Sequence, residues 1–170
     1  MRIRKLKYKD VTGMLEWMHD ERIVHYLRRS FTEKTSKNCI SFIAKAQEET
    51  DNIHLAIVDD NDEYFGTVSL KHIQNNIAEF GIALRACAIG NNYAIFGMKE
   101  IFKYGYRTRG INTVYWCVDP DNQRAIRFYE KHGYHRCNIP ERVFGYTDEE
   151  KCRYIWYQVK REAVDDERTI

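Results

Sequence analysis

Residues 77–118 constrain this chain more than any other stretch. Two apolar runs, IAEFGIALRA (77–86) and INTVYWCV (111–118), flank the helix-patterned YAIFGMKEIFKYGYRTRG (93–110). A strand, a helix and a second strand in that order predict a crossover between neighbouring parallel strands, and such crossovers are right-handed. The second run is apolar throughout, so both of its faces should be buried. In open α/β sheets a crossover of this kind is where ligands bind.

The remaining pattern wraps this unit in antiparallel strands and more helices. MRIRKL (1–6) alternates and reads as a strand anchored by Ile3 and Leu6. KDVTGMLEWMHDERIVHYL (9–27) reads as one helix, with Val11, Met14, Leu15 and Met18 at helical spacing. After a break near 28–31, TEKTSKNCISFIAKAQEE (32–49) is a second helix, capped by Thr32 or Thr35. NIHLAIVDD (52–60) and EYFGTVSLKHI (63–73) form a hairpin, and QNN turns into residue 77. A helix from about Asp121 to His132 and two closing strands, YHRCNIPERVF (134–144) and KCRYIWYQVK (151–160), complete the chain. The class is α/β, a single domain with a mixed sheet of about seven strands.

Size and composition fit one domain with a sizeable core: 170 residues, 44% hydrophobic and 31% charged. The 27 basic and 25 acidic side chains nearly balance, and no basic block stands out. That argues against nucleic acid or a membrane surface as a partner. Five cysteines, Cys39, Cys87, Cys117, Cys137 and Cys152, without a C-x-x-C pair, read as reduced and mostly buried thiols. With no secretory pattern at the start and no run long enough to span a bilayer, the expected location is cytoplasmic. Residues 1–162 are expected to form the domain and 163–170 a polar tail. The aromatic closing strands leave a homodimer open.

Two stretches carry chemistry. In LRACAIGNNYAIFGM (84–98) a strand ends, a loop with one glycine turns, and a helix begins near Asn92. The unpaired N–H groups and dipole of a helix start favour an anion, and Gly90 and Ala94 leave room for one; a plain helix start fits the same residues. The second stretch is DNQRAIRFYEKHGY (121–134), where Asp121 suits an N-cap. Asn122, Ala125 and Tyr129 fall on one helix face at steps of three and four, flanked by Phe128. An amide, a small residue and a phenol in line could grip and admit an amide-bearing chain and present a proton donor. A core aromatic with a solvent-reaching hydroxyl is the plainer alternative. No metal-ligand set is evident; His132 and His135 lack a third partner.

Together these stretches resemble the GNAT superfamily of N-acetyltransferases, in the branch of ribosomal-protein N-terminal acetyltransferases and small-amine or amino-sugar acetylases. NQRAIRFYEKHGY matches the family pattern N-x-x-[AS]-x-x-x-Y-x-K-x-G-[FY]. AEFGIALRACAIGNNYA matches in outline a strand followed by the pyrophosphate loop R/Q-x-x-G-x-G/A and Y-A. Here Ile89 stands where Arg or Gln is common, and Asn92 where a second glycine is usual. Asn tolerates the left-handed backbone that glycine would supply.

The resemblance implies a GNAT-like domain whose central parallel strands splay apart around acetyl-CoA. The pantetheine arm would lie along Leu84, Arg85 and Ala86, with Asn122 on its amide and Ala125 and Phe128 beside it. The pyrophosphate would sit on the loop Ile89, Gly90, Asn91, Asn92, Tyr93 and Ala94. Arg85, or Arg124 and Arg127, would replace the loop cation. Tyr129 would be the acid at sulfur, Glu79 the base, and a peptide or small-molecule amine the acceptor. A non-catalytic CoA-binding or partner-binding domain of the same fold is the rival.

Overall fold

The computed structural model describes residues 1–161; the expected tail at 163–170 lies outside the described residues. Seven strands form one sheet: β1 (Arg2–Lys5), β2 (Ile53–Val58), β3 (Tyr64–Gln74), β4 (Ile77–Leu84), β5 (Thr113–Val118), β6 (Arg136–Cys137) and β7 (Ile155–Lys160). Their order across the sheet is β1-β2-β3-β4-β5-β7-β6, and β4–β5 is its parallel pair. Six helices surround it: α1 (Val11–Met18), α2 (Glu21–Val24), α3 (Ser36–Glu48), α4 (Tyr93–Thr108), α5 (Gln123–Lys131) and α6 (Asp148–Arg153).

Strand alternation divides the core into two layers. Leu55, Ile57, Val68, Leu70, Phe80, Val114 and Trp116 pack with Met98, Ile101 and Phe102 of α4 and Ile126 and Tyr129 of α5. Ala56, Val58 and Tyr64 face Met14, Trp17 and Met18 of α1 and Cys39 and Ile43 of α3. Helix α4 sits close because it presents glycine to the sheet. A methyl at Gly97 would collide with Ile57, and one at Gly105 with Leu70.

The expected helix at 9–27 is two helices. Asp20 breaks it, accepting from the Arg22 N–H as the N-cap of α2. Thr35, not Thr32, caps α3, in a reciprocal box with Asn38. Asn122, not Asp121, caps α5; its side chain accepts from the Ala125 N–H at 3.1 Å. The closing strands are shorter than expected. Only Arg136–Cys137 pairs with β7, and 148–153 is helix α6, opened by a Thr147–Glu150 capping box.

Candidate functional site

Strands β4 and β5 pair only through Ile77–Thr113, Ala78–Val114 and Glu79–Tyr115, then part. Beyond that point β4 runs on to Leu84 and β5 to Val118. The register with β3, and the Arg85 N–H bond to Phe65 O, fix which peptide groups β3 consumes. By alternation the main-chain groups of Ile82 and Leu84 turn the other way, toward the gap. The result is an open sheet edge of the kind an extended chain can pair with.

A cleft of about 550 Å³ fills the gap. Of the expected residues, Glu79, Leu84, Ile89, Gly90, Asn92, Ala94, Asn122, Ala125, Phe128 and Tyr129 line it. Arg85, Ala86, Asn91 and Tyr93 are not among the lining residues. The Arg85 guanidinium bonds Glu16 at 2.8 Å and Glu63 at 2.7 Å, so it is committed elsewhere. The Tyr93 ring stacks on Phe65, and the Asn91 N–H is spent on Ala88 O.

The loop closes without its second glycine because Asn92 adopts the left-handed conformation, φ 63°. Gly90 does likewise at φ 84°, and a Cβ there would meet nothing within 4 Å. The Asn92 side chain does not cap α4, so the first N–H groups of this 16-residue helix stay available to an anion. The missing loop cation has a counterpart across the cleft. Arg124, Arg127 and Lys131, spaced along one face of α5, all line it.

Tyr129 lies on the α4–α5 side of the sheet, its ring 5.3 Å from both Trp116 and Tyr157. Burial pushes its phenol up, so it keeps its proton at neutral pH. Glu79 lies on the opposite side, buried. Its Oε1 accepts from Lys71 Nζ at 2.8 Å and from the Tyr146 hydroxyl at 2.9 Å. The Tyr146 hydroxyl in turn accepts from Cys117 Sγ at 3.4 Å. Burial pushes the Cys117 thiol up to about 11. Burial, then Cys117 and Glu79, push the Tyr146 phenol up as well.

Tyr146 arrives from the loop before α6 and is pinned there by Arg28. The guanidinium stacks 4.0 Å from the Tyr146 ring centroid, bonds Gly145 O, and forks onto Glu150 at 2.8 and 2.9 Å. The Arg28 hydrogen bonds hold the Glu150 carboxyl down at about 2.

Tyr26, Arg28 and Tyr146 also line the cleft, while Trp17 is buried and donates to Tyr64. Two features escape the sequence. Cys117, read as a core thiol, is only half-buried and faces the cleft. Lys71 and His72 attract no notice in sequence, yet both reach Glu79, Lys71 as its direct cross-strand partner and His72 through the bulge that follows.

A family model described as an acetyltransferase (GNAT) domain matches residues 1–135. A relative in Bacillus licheniformis, named uncharacterized N-acetyltransferase p20, is 25% identical over 130 residues, covering 74% of this chain and 73% of its own length. The acetyltransferase PseH of Campylobacter jejuni is 19% identical, over 75% and 78%. Among solved structures, the spermidine N-acetyltransferase of Vibrio cholerae in complex with CoA and spermine superposes with a TM-score of 0.77 at 16% identity, over 96% of both chains. The paia N-acetyltransferase of Thermoplasma acidophilum in complex with coenzyme A gives 0.70 at 18%, over 94% and 98%.

Proposed function

This chain belongs to the GNAT acetyltransferase family, and from that premise we propose that it transfers an acetyl group from acetyl-CoA directly to a primary amine in the cleft between β4 and β5. The observation that carries the reading is the parting of the two strands just beyond Glu79 and Tyr115, with Glu79 on one side of the gap and Tyr129 on the other. Bound acetyl-CoA supplies an acyl group activated as a thioester. The peptide groups of Ile82 and Leu84 hold the pantetheine arm. The start of α4 and the cations of α5 hold the phosphates.

Proton traffic follows from the placement of the two side chains. An ammonium must lose a proton before it can attack. Oε1 of Glu79 is taken by Lys71 and Tyr146, so Oε2 is the oxygen left to accept that proton. As the new C–N bond forms and the C–S bond breaks, Tyr129 gives its proton to sulfur and receives the nitrogen's second one. The products are an amide, a thiol and one proton for water.

The cleft's charge narrows the acceptor. Two carboxylates line it, Glu79 and Asp119, and each already holds a cation, Lys71 and Arg153. Against them stand Arg28, Lys71, Arg124, Arg127 and Lys131. A polyamine needs several free carboxylates, so the spermine of the Vibrio complex is not the acceptor expected here. A protein N-terminus or an amino sugar, each with one amine, fits better. Relative kcat/KM for an N-terminal peptide, glucosamine and spermidine tests this. Spermidine is expected to be the poorest of the three; spermidine as the best acceptor contradicts the reading.

A further inference from the structure

Acetylating a protonated amine releases one proton to water in each turnover, and a base as buried as Glu79 needs a route for it. We propose that His72 is that route, taking from Glu79 the proton the amine has lost and passing it to solvent. The inference rests on the acetyltransferase reading above.

Three observations converge on His72. Its Nε2 lies 3.8 Å from Glu79 Oε2, the oxygen that Lys71 and Tyr146 leave unused. That separation closes to hydrogen-bond length by a small ring rotation or is bridged by one water. The ring is also 41% exposed while the Glu79 side chain is 8% exposed, so His72 touches both the buried carboxylate and bulk water.

The third observation is backbone geometry. On a regular strand Lys71 and His72 would point to opposite faces of the sheet. Here one extra residue bulges β3 between Lys71–Glu79 and Gln74–Ile77. His72 takes a left-handed φ of 53°, and its N–H is bonded to Asn52 Oδ1 instead of a strand partner. Lys71 already faces Glu79 across the regular β3–β4 register and reaches Oε1; the bulge that follows turns His72 onto the same carboxylate, at Oε2. A left-handed conformation at a non-glycine residue costs roughly 1–3 kcal/mol. Bulges of this kind re-aim side chains beside active sites. Around the ring stand Lys71 and Glu79, with Phe144 5.9 Å away, centroid to centroid.

The transfer balances. The ammonium proton goes to Glu79 Oε2, from there to the imidazole, and from the imidazole to water, leaving both side chains as they began. No bond to carbon changes at His72, so it acts through Glu79 and not on the substrate.

The test compares the wild type with His72→Asn and His72→Gly. Both replacements accept the left-handed backbone and remove the ring. CoA release is followed with acetyl-CoA and an N-terminal peptide or glucosamine, with and without added imidazole. Expected is a fall in kcat of about ten-fold or more, an unchanged KM for acetyl-CoA, and recovery in imidazole that the wild type does not show. A purely structural role would not be rescued by a soluble base. Unchanged kcat in both variants, or a loss that imidazole leaves in place, overturns the proposal. A wild type that releases no CoA with any of a panel of primary amines overturns the acetyltransferase reading itself, and this inference with it.

Discussion

Asn122 has one observed duty and one proposed. Its Oδ1 caps α5, and in the proposed reading its amide N–H₂ meets the pantetheine. Asn122→Ala should cost about 1 kcal/mol of stability through the lost cap and also weaken acetyl-CoA binding. Asn122→Asp keeps the cap and replaces the donor with a charged acceptor. Thermal melts and CoA titrations on both variants separate the duties, and wild-type CoA affinity in both would remove Asn122 from the binding site. The sequence motif pointed to Asn122 and Tyr129 because both sit inside one short helix with fixed spacing. It could not point to Tyr146, which meets Glu79 across 67 residues of chain. That contact depends on Arg28 folding a loop inward, a long-range event with no local signature.

In the proposed reading, helices α4 and α5 divide the cofactor between them. The loop before α4 supplies peptide N–H groups but no cation, and α5 supplies Arg124, Arg127 and Lys131. Replacing Arg124 and Arg127 together by Ala should weaken CoA binding and flatten its salt dependence. It should leave the phosphate-free analogue acetyl-pantetheine unaffected. Equal losses for both ligands would mean that the arginines do not meet phosphate. The two α4 glycines are structural. Gly97→Ala should destabilise the fold by about 1–3 kcal/mol through its collision with Ile57, measured by denaturant unfolding. Strands β2 to β5 and helices α3 to α5 were legible because each is a periodic apolar run between turn residues. The stretch 138–153 was not, although its capping box T-x-x-E at Thr147–Glu150 was there to be read. The aromatic and β-branched content on either side favours a strand, and the breakers Pro140 and Gly145 oppose it.

In the whole molecule, His54 makes stability depend on pH. It lies on β2 with its side chain 10% exposed and Nδ1 2.7 Å from Ser69 Oγ, and desolvation lowers its pKa from 6.5 to about 4, against a smaller opposing pull from Glu49. The folded state therefore holds the neutral ring. The unfolded chain protonates first as pH falls below 6.5, so stability is full above that value and declines down to about pH 4. The loss from this residue is about 3 kcal/mol at most. His54→Asn should remove that part of the decline when unfolding free energies are compared between pH 7 and pH 4. The seven-stranded mixed sheet with one parallel pair followed from the order of elements. The proposed proton path did not, because it depends on one extra residue in β3 and on a network drawn from β3, β4, β5 and two loops.

The central claim is turnover of acetyl-CoA in the β4–β5 cleft, with Tyr129 protonating the leaving sulfur. It is tested most directly by thiol release from acetyl-CoA with a panel of primary amines, run on the wild type and on Tyr129→Phe beside CoA affinities for both. The predicted result is saturable thiol release by the wild type and a loss of about 100-fold or more in kcat for Tyr129→Phe at little change in CoA affinity. Saturable CoA binding by the wild type with no thiol release from any amine, or undiminished turnover by Tyr129→Phe, would contradict it.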